Sequence, residues 1–111
     1  RSLASGRPQR NAQTTGSLCD AILTPTPGRL TLPILARLAG PGLTVTDDQA
    51  LHAMALAFRH LKLVLEPGGA VALAAALVHP RAFDAPDVIA IASGGNVDAP
   101  VFAAALARFP A

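Results

Sequence analysis

The sequence lacks several residue types that particular folds and sites require. Among its 111 residues it has no Trp or Tyr and only one cysteine, and just 14% are charged. A single cysteine forms no disulfide within the chain, which argues against a disulfide-rich secreted protein. The longest apolar run, 70–78, is far shorter than the ~20 residues that span a bilayer. We therefore expect no membrane partner and a cytoplasmic location.

The charge pattern also argues against a nucleic-acid partner. Nine Lys and Arg residues face seven Asp and Glu, and the basic residues are scattered rather than gathered into a stripe. Without Trp or Tyr there is little to stack on bases. The apolar residues, at 51% of the chain, exclude a disordered tail.

The first half of the chain predicts irregular structure followed by helices. Residues 1–16 are polar without apolar periodicity and predict an irregular segment, whereas 17–111 predict packed helices and strands. Residues 17–23 suit either a short buried helix or a strand. Cys19 is expected to be a small buried hydrophobe rather than a reactive thiol. Leucines one turn apart predict a helix over 30–39.

The strongest helix signal begins with a capping box. In Thr46-Asp-Asp-Gln49 the threonine accepts from the third helical residue, and the glutamine reaches back to the cap. Apolar residues then recur at helical spacing, which predicts a helix from about Asp47 to Val64. The preceding residues, 43–45, form a short strand candidate.

A further helix is predicted to begin at Pro67, since the residue before a proline is driven to extended geometry. Residues 68–78 are apolar on every side, as in a helix inside a protein larger than itself. Glu66 stands at the junction of two apolar helices. Its carboxylate either has a functional task, or is exposed at a helix end, or caps free amides.

The last third of the chain predicts an α/β arrangement. Residues 88–92 form a continuous apolar run, typical of a parallel strand buried on both faces, and the strand is predicted at about 88–93. A Ser-Gly-Gly-Asn turn follows, where ligands of open α/β sheets bind, although a tight turn explains it equally well. Asp98 then predicts an N-cap, with Pro100 in the first helical turn. A doubly covered strand needs partner strands from elsewhere, so the chain is expected to be part of a larger α/β domain.

The histidines do not have the spacing of a metal site. His52, His60 and His79 are spread unevenly, and no carboxylate or cysteine joins them at ligand spacing. Surface or helix-end histidines are the better interpretation, and no metal is expected.

Two motifs in this order resemble one family of enzymes. Residues 65–74 (LEPGGAVALA) and, further along, 91–98 (IASGGNVD) resemble the C-terminal part of the threonine/serine dehydratase and serine racemase family. Support comes from 44–48 (TVTDD), 60–64 (HLKLV) and 17–21 (SLCDA). The family has the tryptophan-synthase-β fold type, fold type II, a three-layer α/β/α sandwich. The fold expected is thus a helix-rich, C-terminal α/β fragment of that sandwich.

The resemblance implies pyridoxal 5'-phosphate as the cofactor. In the family, the serine that matches Ser93 hydrogen-bonds the pyridine nitrogen, and a neutral hydroxyl leaves that nitrogen unprotonated. Gly94 and Gly95 would leave room for the ring edge. Glu66 would lie near the cofactor.

The resemblance also implies what this segment does not contain. The family's Schiff-base lysine, phosphate-binding loop and metal-site acids all precede it, so no catalytic residue is expected here and the isolated chain should be inactive. Lys62, the only lysine, matches a structural position instead.

The function implied is that of a threonine/serine ammonia-lyase acting on a small β-hydroxy amino acid, as a homo-oligomer. The alternative is a small non-catalytic helical protein that binds a partner or itself.

Overall fold

The computed structural model describes residues 1–110, in which five α-helices form a flat body of 41 × 36 × 18 Å. The third helix packs against both the fourth and the fifth. In chain order the helices are α1 (Ser2–Ser5), α2 (Thr31–Leu38), α3 (Asp47–Leu56), α4 (Pro67–Val78) and α5 (Ala99–Arg108). Short 3-10 turns lie at Asp20–Ile22 and Pro80–Ala82.

The predicted capping box opens α3. The Thr46 hydroxyl accepts from the Gln49 amide at 3.2 Å, and the Thr46 amide donates to Gln49 Oε1 at 2.8 Å. Two of the amides that a helix start leaves without partners are thereby satisfied. The cap places Leu51 and Met54 in the core between α4 and α5.

Thr46→Ala is expected to lower the free energy of unfolding by about 1 kcal/mol, because it removes one half of this box. Thr44→Ala is the matched control, since the Thr44 side chain is exposed and makes no hydrogen bond within the described residues. Its effect should stay within about 0.5 kcal/mol. Urea denaturation measures both, and equal losses would contradict a specific role for the cap.

The prediction that this helix continues to Val64 is wrong. The α-helix ends at Leu56, a π-helical turn covers Ala57–Leu61, and Lys62 takes a left-handed conformation with φ 59°. The Lys62 amide donates to the Phe58 carbonyl at 3.0 Å, and the Leu63 amide donates to the Ala57 carbonyl at 3.3 Å. These bonds satisfy the last carbonyls of the helix and turn the chain toward Glu66.

The start of α4 is confirmed at Pro67. Glu66 has the extended backbone, φ −78° and ψ 161°, that a following proline favours. The helix buries its first turn, Pro67–Ala70, together with Ala74, whereas Leu77 and Val78 at its end are exposed. Because an all-apolar helix is normally buried on every side, part of the apolar surface of α4 is left uncovered in this chain.

The predicted buried strand at 88–93 does not form within residues 1–110. This segment is neither helix nor strand, and Ile89 and Ile91 are 91% and 72% exposed. The candidate strand at 43–45 is likewise absent from the part of the chain described. A strand exists only through hydrogen bonds to a neighbouring strand, and none is present here to supply them. The run at 88–93 has the composition of a buried strand but no partner.

The remaining elements depart from prediction in smaller ways. Residues 1–16 include the single-turn helix α1, and within 17–23 only Asp20–Ile22 form a 3-10 turn. In α2 only Leu32 is buried. Asp98 occupies the N-cap position of α5, but its carboxylate makes no cap hydrogen bond.

Cys19 is buried, as predicted. Burial raises the pKa of its thiol, since the thiolate would lose solvation, and Asp47 and Asp20 raise that pKa further. Cys19 therefore stays protonated near neutral pH, which suits a packing residue better than a nucleophile.

Candidate functional site

The Ser-Gly-Gly-Asn turn lies directly against the start of α4. The Glu66 amide donates a hydrogen bond to the Gly94 carbonyl at 3.0 Å. Two segments that are distant in sequence therefore share one backbone contact. The structure thus brings together the two motifs that carry the family resemblance.

Three glycines permit this approach. A Cβ on Gly69 would overlap the Gly94 backbone, and a Cβ on Gly94 would overlap the Glu66 carboxylate. A Cβ on Gly95 would lie 2.6 Å from the Val64 carbonyl oxygen. Glycine is therefore required at 69 and 95, where a side chain would meet backbone, whereas at 94 a side chain would displace the Glu66 carboxylate. That Gly94 and Gly95 leave room for a ring edge stays a prediction.

The Glu66 carboxylate is half-buried and makes no side-chain cap hydrogen bond. The interpretation of Glu66 as a helix cap is thus wrong. The carboxylate instead faces the Gly94 backbone and lines an adjoining cleft. A functional task for Glu66 stays a prediction.

The cleft has a volume of about 330 Å³. It runs between the start of α4, the 17–20 loop and the segment leading into α5. Its lining mixes polar and apolar side chains, namely Ser17, Leu18, Asp20, Glu66, Pro67, Asn96, Val97, Asp98 and Val101. Ser93 does not line it. The Ser93 side chain is exposed beside it, and its hydroxyl makes no hydrogen bond to any group in residues 1–110.

Sequence reasoning singled out Glu66 but assigned no role to Asp20 or Asn96, which line the same cleft. Both lie inside the stretches that carry the family resemblance, so the signal was present. What was missing is the packing of the 17–22 loop on α4. A Cβ at Gly68 would lie 3.6 Å from side-chain atoms of Ala21 and of Ile22.

The histidines and the lysine lie away from the cleft lining. His52 stacks on Phe109 with 4.9 Å between ring centroids, and His79 Nε2 is 2.9 Å from the Thr44 carbonyl. Lys62 donates from Nζ to the Arg59 carbonyl at 2.7 Å. Across residues 1–110, no three His, Cys, Asp or Glu side chains gather closely enough to hold a metal ion. None of the helices described has the length and apolar character needed to cross a membrane.

Comparison with solved structures defines the class of protein. A threonine deaminase from T.th. matches 88% of this chain with a TM-score of 0.80 and 38% identity, and the match covers 33% of that chain. Such neighbours are fold type II pyridoxal-phosphate enzymes, which confirms the predicted fold type.

The sequence comparisons agree. The family model described as pyridoxal-phosphate dependent enzyme matches residues 1–94. A serine racemase of Dictyostelium discoideum is 38% identical over 101 residues, 88% of this chain and 31% of its own length. An L-threo-3-hydroxyaspartate ammonia-lyase of a Pseudomonas species is 32% identical over 93 residues, 84% of this chain and 29% of its own length.

This chain belongs to the pyridoxal-phosphate dependent enzyme family. The predicted resemblance and the predicted cofactor are both confirmed. The chain spans about a third of the length of the relatives that it matches.

Proposed function

We propose that this chain is the C-terminal part of a pyridoxal-phosphate-dependent ammonia-lyase that eliminates the β-substituent of a small β-hydroxy amino acid. Elimination yields a 2-oxo acid and ammonia. The observation that carries the proposal is the joining of the Glu-Pro-Gly-Gly and Ser-Gly-Gly-Asn motifs through the Glu66 amide and the Gly94 carbonyl. Threonine dehydratase, hydroxyaspartate ammonia-lyase and serine racemase relatives support it.

Ser93 is the residue proposed to bind the cofactor. Its hydroxyl is exposed and has no partner among residues 1–110, so it is free to hydrogen-bond the pyridine nitrogen. As a neutral group it holds no proton on that nitrogen. Bound pyridoxal phosphate supplies an electron sink for the bonds at the substrate's α-carbon. This chain's contribution is to orient the ring and moderate that sink.

Glu66 is proposed to act from the wall of the adjoining cleft. Its amide is held by Gly94 and its backbone is restricted by the following proline, so the carboxylate projects from a fixed position beside Gly94. A half-buried carboxylate at this point favours substrates that carry a positive charge or a hydrogen-bond donor near the cofactor.

The apolar run at 88–93 is proposed to be a strand of the parallel sheet of the complete enzyme. Its exposed isoleucines, Ile89 and Ile91, would be covered by strands and helices from the rest of the polypeptide. We extend the proposal to a homo-oligomeric, cytoplasmic enzyme.

The test compares the full-length polypeptide with the isolated chain. The full-length protein should form a 2-oxo acid from L-threonine, L-serine or threo-3-hydroxyaspartate. The isolated chain should form none, and its mixture with pyridoxal phosphate should keep the absorbance of the free cofactor. Lys62→Ala in the isolated chain is the control, since Lys62 is the only lysine able to react. A specific lysine-bound spectrum or turnover in the isolated chain would contradict the assignment.

The alternative, a helical protein that binds a partner or itself, is supported by the exposed apolar side chains of this chain, such as Leu30 at 86% exposure. The coding sequence upstream of Arg1 separates the two functions. A reading frame that continues into a Ser-x-Lys motif supports the lyase, whereas a start codon adjoining Arg1 supports the interaction protein.

A further inference from the structure

The Asp47 carboxylate lies outside the cleft but binds the loop that forms one of its walls. Asp47 lies in the first turn of α3 and is half-buried. Its Oδ1 accepts from the Ser17 hydroxyl at 2.6 Å, and its Oδ2 accepts from the Leu18 amide at 2.9 Å. Both oxygens are thus bound to a loop that precedes them by about thirty residues.

The same bonds continue into the loop. The Ser17 hydroxyl also accepts from the Cys19 amide at 3.1 Å, and the Cys19 side chain is buried. The 3-10 turn that follows places Ala21 and Ile22 against Gly68 in the first turn of α4. The loop is therefore fixed at one end by Asp47 and at the other by packing on α4.

Between these two fixed points the loop presents Leu18 and Asp20 to the cleft, whose lining also includes Asn96 and Asp98. Asp47 itself is not part of the lining. A second part of the lining, at Glu66, is held by the hydrogen bond from the Glu66 amide to the Gly94 carbonyl. The positions of these two parts of the lining therefore depend on different residues.

We infer that Asp47 is a positioning residue that sets the substrate-binding wall of the cleft through Ser17 and Leu18. The inference rests on the proposed function, since it takes this cleft as the place where the amino-acid substrate binds. Hydrogen bonds to a charged, partly shielded carboxylate are among the stronger ones in proteins. Loss of both hydrogen bonds to Asp47 should free the loop without disturbing the contact between Glu66 and Gly94.

The test is Asp47→Ala in the full-length holoenzyme. The KM for the preferred amino acid should rise about tenfold, with kcat within about twofold and the cofactor absorbance unchanged. Asp48→Ala is the matched control. It removes the same charge from the same helical turn, but Asp48 pairs with Arg108 on the surface. Both variants lose the same favourable interaction with the helix dipole, so the difference between them reports on the loop.

Two further variants separate positioning from simple destabilisation. Asp47→Asn should recover most of the wild-type KM, because an amide can accept from Leu18 while donating to a reoriented Ser17 hydroxyl. Ser17→Ala should raise KM in the same direction, and the double variant Asp47→Ala/Ser17→Ala should be clearly less than additive. Ser17 variants also serve if Asp47→Ala does not fold.

Equal KM values for Asp47→Ala and Asp48→Ala in an active enzyme would overturn the inference and leave the proposed function standing. A wild-type full-length protein that neither binds pyridoxal phosphate nor forms a 2-oxo acid would instead overturn the proposed function.

Discussion

Ser93→Asp is expected to lower elimination activity by at least about a hundredfold in the full-length enzyme, without unfolding it. A carboxylate at this position would keep the pyridine nitrogen protonated. The ring would then be a stronger electron sink than the ring whose nitrogen is bound by the neutral serine hydroxyl. In the isolated chain, where Ser93 is exposed and without a hydrogen-bond partner in the described residues, the same substitution should change the free energy of unfolding by no more than about 0.5 kcal/mol.

Two other variants at the same position provide the controls. Ser93→Thr keeps the hydroxyl and should retain much of the activity. Ser93→Ala removes the hydrogen bond without adding charge, so its activity should lie between those of Ser93→Thr and Ser93→Asp. Turnover, the spectrum of the bound cofactor and thermal unfolding are measured together. Undiminished turnover in Ser93→Asp would refute the role assigned to this residue.

Gly69→Ala is expected to destabilise the protein by about 3 kcal/mol. The new methyl group would overlap the Gly94 backbone and break the hydrogen bond between the Glu66 amide and the Gly94 carbonyl. The start of α4 is buried on this side, so the overlap is not relieved by a flexible side chain. The displaced turn should also weaken binding of pyridoxal phosphate.

The neighbouring glycine gives the opposite expectation. A Cβ at Gly68 meets Ala21 and Ile22 at an ordinary 3.6 Å, and alanine is the better helix former by up to about 1 kcal/mol. Gly68→Ala should therefore leave stability unchanged or slightly raised. Midpoints of urea unfolding for the two variants give the comparison. Equal midpoints would mean that the contact with Gly94 is not needed.

Local features of the fold could be read from the sequence because their causes are local. The capping box at Thr46 and the proline at position 67 act on residues within one turn, and both begin helices where predicted. The end of α3 could not be read in this way. Its apolar spacing continues to Leu61, while the observed end depends on the left-handed Lys62 and the path to Glu66.

Long-range contacts account for most of what the sequence did not reveal. The strand at 88–93 depends on neighbours that residues 1–110 do not supply. The close approach of Gly69 to Gly94 joins segments more than twenty residues apart. The hydrogen bond from the Ser17 hydroxyl to the Asp47 carboxylate does the same. Their residue types are common in turns and caps, so nothing in the pattern marks them as partners. The family could be identified nonetheless, because two ordered motifs identify a relative without any knowledge of their contacts.

The contact between Gly69 and Gly94 has a consequence for motion. With the Glu66 amide bound to the Gly94 carbonyl and Gly69 against the Gly94 backbone, we expect the start of α4 and the turn that carries Ser93 to move together. In the proposed enzyme, movements that admit substrate or release product would therefore hinge elsewhere. Ser93 and Glu66 would then keep their spacing during such movements.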